Sequence, residues 1–203
     1  MIAEAGLAAL WLAAALALVQ LAFGALALGR GRADLLSAIS PVAVAQALFV
    51  GIAFACLIAL FARSDMSALL VATNSHSAKP MIYKIAGTWG NHEGSMLLWV
   101  AILGAAGATI ALFERRLRAD TKAATLAAQG AIALGFYAFL LFASNPFERI
   151  AGVVDGQGLN PLLQDPGLAF HPPTLYAGYV GMSAAFSFAV GALVTRNVGP
   201  DFA

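Results

Sequence analysis

Three histidines, His76, His92 and His171, are the side chains of this sequence best suited to hold a metal or move a proton. Two of them stand in long, unusual runs. The first run is Tyr83–Lys84–Ile85–Ala86–Gly87–Thr88–Trp89–Gly90–Asn91–His92–Glu93–Gly94–Ser95, which leads into an apolar stretch. His92 and Glu93 fall at the N-terminal mouth of the helix this predicts, where the helix dipole favours an acid. Trp89 and Trp99 bracket that mouth, as amphipathic rings do at a membrane interface. The plain reading is an interfacial anchor with a polar cap. The functional reading is a wall, built from Trp89, His92 and Glu93, around a polar ligand group.

The second run is Asn160–Pro161–Leu162–Leu163–Gln164–Asp165–Pro166–Gly167–Leu168–Ala169–Phe170–His171–Pro172–Pro173–Thr174–Leu175–Tyr176–Ala177–Gly178–Tyr179. A residue before proline is biased out of the helical region, so His171 is expected to be extended. Pro172 or Pro173 then occupies the first turn of a helix. That arrangement presents the imidazole just above a helix end, with Tyr176 and Tyr179 one turn below on a shared face. Histidine is a ligand that holds haem iron, alone or paired. A polar interfacial residue is the bland alternative. Cys56 is the only cysteine, so neither an internal disulfide nor a CxxC redox centre is open to this chain, and it reads as a small apolar filler.

The elements that must position these residues are membrane helices. Apolar residues make up 61% of the 203 residues and charged residues 10%. A soluble domain carries about 25% charged residues. No charge and no histidine falls within 6–28, 42–61, 94–113, 123–143 or 174–194. Each run matches the ~20 residues that cross a bilayer core. The fold class is therefore all-α, a polytopic membrane protein with five spans, in contact with lipid and without a basic patch for nucleic acid. The first run is too long for a cleaved leader and lacks a preceding basic residue, so it is read as a retained span. No ionisable residue sits mid-span, which argues against a transporter. Small residues at Gly104/Ala108 and Gly181/Ala185/Ala189 are read as packing positions.

Loop charge orients the chain. Residues 29–41, 114–122 and 195–203 hold Arg30, Arg32, Arg115, Arg116, Arg118, Lys122 and Arg196, whereas the longer stretches 1–5, 62–93 and 144–173 hold only Arg63, Lys79, Lys84 and Arg149. Cytoplasmic loops are enriched in Lys and Arg. The N-terminus is expected outside, the C-terminus inside and both long loops periplasmic, in the inner membrane of a Gram-negative cell. All three histidines then face outward. Residues 64–74 suit a short helix on the membrane surface, opened by a capping Ser or Asp. Residues 1–87 read as a two-span region and 88–203 as the start of a three-span assembly domain.

The two runs together resemble CcmF, the haem lyase component of the cytochrome c maturation system. The matching residues are Tyr83–Lys84 with Trp89–Gly90–Asn91–His92–Glu93–Gly94–Ser95, and Asn160 through Gly181, with Asn74–Ser75–His76–Ser77 before Lys79–Pro80 also fitting. The resemblance covers the whole chain and the opening part of the family's length. It implies that haem b arrives from the chaperone CcmE and is joined to the two thiols of a CxxCH motif on apocytochrome c. It implies a maturation complex with CcmH-type thiol proteins. It maps a periplasmic axial haem ligand onto His171, with Trp89, His92, Glu93 and Tyr176 as a site wall. The family's Trp-rich haem-docking loop and second axial histidine are expected beyond residue 203, in a C-terminal portion of the lyase. The chain thus resembles an N-terminal fragment or a split subunit, incomplete alone. A non-catalytic scaffold of the assembly complex, or the related lyase for nitrite-reductase cytochrome, are the alternatives.

Overall fold

The computed structural model describes residues 1–158, 160 and 164–199. Pro161, Leu162 and Leu163 of the second run lie outside the described residues. Seven α-helices account for most of the rest: α1 (Ile2–Gly29), α2 (Leu36–Arg63), α3 (Leu69–Asn74), α4 (Met81–Gly87), α5 (His92–Phe113), α6 (Ala119–Phe142) and α7 (Pro166–Thr195). Five of them, α1, α2, α5, α6 and α7, are long and apolar enough to cross a membrane. A run of some 20 apolar residues has one favourable solution in lipid, a helix that satisfies its own backbone.

α1 pairs with α2 and, on its other side, with α6. α5 lies between α2 and α6, and α7 packs on α5 and α6. The core is built from Leu10, Ala13 and Ala17 of α1, Val50 and Leu57 of α2, Leu97 and Val100 of α5, and Tyr137 and Leu140 of α6. Gly104 fits the packing reading, since a β-carbon there would lie 3.0 Å from Val50 Cγ1. Gly181 does not, because nothing lies within 4 Å of its β-carbon position. The spans also bury polar side chains. Gln46 Nε2 donates to the Tyr137 hydroxyl, and Gln20 Nε2 to the Leu126 carbonyl. Thr121 and Thr195 hydroxyls meet at 3.0 Å between α6 and α7. Such bonds hold helices together where lipid offers no hydrophobic drive.

The two long loops share one end of the bundle, with the short basic connectors at the other. The expected surface helix is shorter and deeper than the sequence implies. Asp65 Oδ1 accepts from the Ser67 amide at 3.2 Å and so closes a turn, and the helix begins only at Leu69. Leu70, Val71 and Ala72 are buried against the bundle, because the second long loop covers them. The loops are stitched by backbone bonds from Leu69 to Glu148 (2.9 Å), Ile150 to Ser67 (3.0 Å) and Gln157 to Ala72 (2.8 Å).

Candidate functional site

α5 begins where its sequence says it should. Asn91 is the N-cap, and its Oδ1 accepts from the Gly94 amide at 2.7 Å. Its Nδ2 donates backwards to the Gly87 carbonyl at 2.7 Å, tying the end of α4 to the start of α5. Gly94 is required at this crossing: a β-carbon there would overlap the Thr88 carbonyl oxygen. The cap leaves His92 as the first helical residue, with Glu93 in the first turn. His92 Nδ1 lies 3.1 Å from Ser144 Oγ, and its ring meets Phe139 edge-on at 5.5 Å. Phe139 lies in the last turn of α6 and Ser144 two residues beyond its end, so the imidazole is held by packing from a second segment of the bundle.

α7 departs from the sequence reading. The helix starts at Pro166, before the first turn expected at Pro172 or Pro173, and it carries His171, Pro172 and Pro173 inside it. His171 is therefore helical, not extended. Asp165 explains the early start. Its Oδ1 accepts from the Gly167 amide at 2.8 Å, its carbonyl accepts from the Ala169 amide at 2.9 Å, and Pro166 occupies the first turn at no hydrogen-bonding cost. The helical path through His171, Pro172 and Pro173 is supported by one distant contact and one local one. Trp89 Nε1 donates to the Ala169 carbonyl at 2.8 Å, and Thr174 Oγ1 donates to the His171 carbonyl at 2.8 Å.

This geometry gathers some of the candidate residues and separates others. Trp89, Asn91, His92, Ser95, Pro172 and Tyr176 line one open cleft of about 410 Å³ between α5 and α7. Glu93 lines the neighbouring cleft of about 510 Å³ with Asn74, Ser144 and Glu148, and Asn91 and His92 are common to both. Trp89 also lines an apolar cleft with Ile82, Ile85 and Phe170. Tyr176 turns inward, its ring 6.3 Å from that of Trp99. Tyr179 turns outward at 63% exposure, so the two tyrosines do not share a face.

His171 stands next to Pro172 but on the outward side of α7. Phe170, Leu175, Tyr179, Met182 and Phe186 are exposed with it. The His171 imidazole is thus bordered by exposed apolar and aromatic side chains of the same helix. Among the described residues no three His, Cys, Asp or Glu side chains come together as a metal cage.

His76 has more structure around it than its sequence context shows. Asp155 Oδ1 accepts from the Ser77 amide at 3.0 Å, Oδ2 accepts from the Ser77 hydroxyl, and His76 Nε2 lies 3.4 Å from Oδ2. These bonds to Ser77, with the Gly156 amide and the His76 charge, hold the Asp155 carboxyl down at about 2. Gly156 is needed beside it, since a β-carbon there would overlap the Ser75 carbonyl oxygen. Arg149 makes a second tie, donating to Glu4 Oε1 at 2.7 Å and approaching Asp65 Oδ2 at 3.7 Å. A loop Asp followed by Gly, facing a Ser–His–Ser in the other long loop, is the only hint of this clasp in the sequence.

The comparisons with known proteins converge. Residues 89–199 match the family described as Cytochrome C assembly protein. The chain is 50% identical over 204 residues to the cytochrome c-type biogenesis protein ccl1 of Rhodobacter capsulatus, covering 100% of this chain and 31% of that one. It is 47% identical over 196 residues to the cytochrome c-type biogenesis protein CcmF of Pseudomonas aeruginosa, covering 96% of this chain and 30% of that one. A solved structure titled Cytochrome c Heme Lyase CcmF superposes with a TM-score of 0.86 over 99% of this chain and 32% of its own length, at 24% identity, and so shares the fold. The chain spans about a third of the length of the curated relatives it matches. The expected likeness to CcmF therefore holds along the whole sequence, and the chain belongs to the cytochrome c assembly protein family.

Proposed function

We propose that this chain presents haem for covalent attachment to apocytochrome c, with His171 as an axial ligand to the haem iron. The observation that carries the reading is the placement of His171: exposed at the loop end of α7, bordered by exposed Phe170 and Leu175, one residue from the cleft lined by Trp89, His92 and Tyr176. Haem is the substrate here, delivered by the chaperone CcmE and passed to a CxxCH segment. Each thiol adds across a haem vinyl group, forming one carbon–sulfur bond while the thiol proton goes to the neighbouring vinyl carbon. The chain's contribution is positioning, which supplies ~7–11 kcal/mol when reacting groups are well aligned. Trp89, His92 and Tyr176 shape the wall beside the ligand, and Glu93 lines the adjoining cleft. The basic residues of the short connectors support this reading with the C-terminus in the cytoplasm and the two long loops in the periplasm of an inner membrane. The Trp-rich loop, the second axial ligand and the CcmH-type partners belong to the rest of the assembly.

Replacing His171 with Ala or Gly in the complete assembly is expected to abolish cytochrome c maturation and the His-ligated haem spectrum, with partial recovery on adding imidazole. Normal maturation in that variant would leave a non-catalytic scaffold as the better reading. Glu93→Gln is expected to lower the yield of holocytochrome while membrane insertion stays normal, and an unchanged yield reduces the His92–Glu93 pair to an interfacial anchor.

A further inference from the structure

The two motifs meet at one atom, the carbonyl oxygen of Ala169. In an α-helix that oxygen accepts from the N–H four residues on, and in a 3-10 turn from the N–H three residues on. Those residues are Pro173 and Pro172, both inside α7, and neither has an N–H. Leu168 is less affected, because the residue three after it is His171, which keeps its amide. Ala169 is 2% exposed, so solvent does not replace the lost donors. A buried backbone carbonyl without a partner is a costly defect. The donor that reaches it is the indole N–H of Trp89, 2.8 Å away and 80 residues earlier in the chain. Trp89 is itself well placed to hold still. Its own amide donates to the Ala86 carbonyl at 3.2 Å, and two residues later Asn91 locks the junction of α4 and α5.

We infer that Trp89 is a positioning residue for His171: its indole N–H replaces the helical donor that Pro172–Pro173 removes, and so fixes the opening turns of α7 against the α4–α5 junction. The prolines exclude the carbonyl of Ala169 from the helix's own ladder, and a rigid donor from another element takes it up. The segment carrying His171 is then set by a contact across the bundle and not by the helix alone. The inference rests on His171 as the haem ligand, as proposed above, but the contact itself is testable without haem. It also separates two roles of the same side chain. Trp89 also lines two clefts, and loss of its ring there is not compensated by restoring a helical amide. Loss of the N–H is.

The test is a double-mutant cycle on the full chain in nanodiscs, read by hydrogen–deuterium exchange of the peptide covering residues 166–176. Trp89→Phe is expected to accelerate exchange there by roughly 5- to 100-fold, the range for stranding a buried carbonyl. Pro173→Ala returns an N–H to the position four residues after Ala169. In that background the same Trp89→Phe change is expected to accelerate exchange by no more than about twofold. Where Trp89→Phe fails to fold, the cycle is run with the benzothienyl isostere of tryptophan at position 89, which keeps the shape and lacks only the N–H. An equal effect of the Trp89 change in both backgrounds overturns the inference. A haem titration of the same four proteins is the second readout: the Soret band of the His-ligated form should weaken with Trp89→Phe and recover in part when Pro173→Ala is added, the rest of the loss belonging to the indole ring removed from the clefts. If exchange shows the coupling while His171→Ala leaves the haem spectrum unchanged, the ligand assignment fails and the Trp89 contact stands.

Discussion

α5 and α7 both start at the loop end of the bundle, and each carries one of the two motifs, yet they are held in opposite ways. α5 is self-sufficient. Its cap, Asn91, accepts from an amide three residues ahead and donates to a carbonyl four residues behind. α7 is dependent. Asp165 opens it locally, but its first turns are interrupted by two prolines and repaired by a tryptophan 80 residues away. The loop before it is clasped by Asp155 to Ser77 and His76, and by Arg149 to Glu4, 145 residues apart. A helix start completed by local bonds forms whatever surrounds it. One completed by distant partners takes its position only when the bundle is assembled, and it is this second kind that carries His171.

The comparison can be broken most severely at α5. Gly94→Ala places a methyl group on the Thr88 carbonyl, which is backbone and cannot rotate away. A loss of about 3 kcal/mol or more is expected, at the upper end for overpacking, measured by equilibrium unfolding in detergent. A change below about 1 kcal/mol would mean that the α4–α5 junction is looser than its geometry implies. Asn91→Ala is expected to cost less, about 1–2 kcal/mol, because only the cap and its backward bond are lost. Faster exchange should stay within residues 87–95 if α5 is held locally. Spread of that effect to α7 would erase the contrast.

The smallest effect belongs to the clasp before α7. The Asp155 carboxyl titrates at about 2 in the folded chain, below its ordinary 3.8, chiefly through its bonds to Ser77. A depressed folded-state value means that the ionised form is favoured by folding. Its stabilising contribution is therefore present in full above about pH 4 and is lost as pH falls through about 2. Exchange at the Ser77, Gln157 and Gly158 amides is expected to quicken, relative to intrinsic rates, over that acid window, and Asp155→Asn should produce part of the same loosening at neutral pH. No difference between Asp155→Asn and wild type would assign the clasp to the backbone bonds alone.

The five spans were legible because a charge-free run of about 20 residues has one low-energy arrangement in lipid, so the spacing of Arg, Lys, Asp, Glu and His was sufficient to find them. The start of α5 was legible for a similar reason: a cap acts within four residues, and Asn91, His92 and Glu93 lie inside that window. The same local logic failed at α7. The rule that moves a residue before proline out of the helix is a local steric preference, and it registers neither the Asp165 cap nor the donor that the Ala169 carbonyl lacks within its own helix. In the fold the donor exists, and it comes from Trp89. The buried Gln46–Tyr137 bond between α2 and α6 is of the same kind, a polar pair 91 residues apart that hydropathy does not register. So is the clasp that engages His76. Composition and periodicity determined what crosses the membrane, because burial in lipid is a property of each segment alone. Where the imidazole of His171 stands, and which side chains form the cleft beside it, was decided only when segments far apart in sequence supplied each other's missing partners.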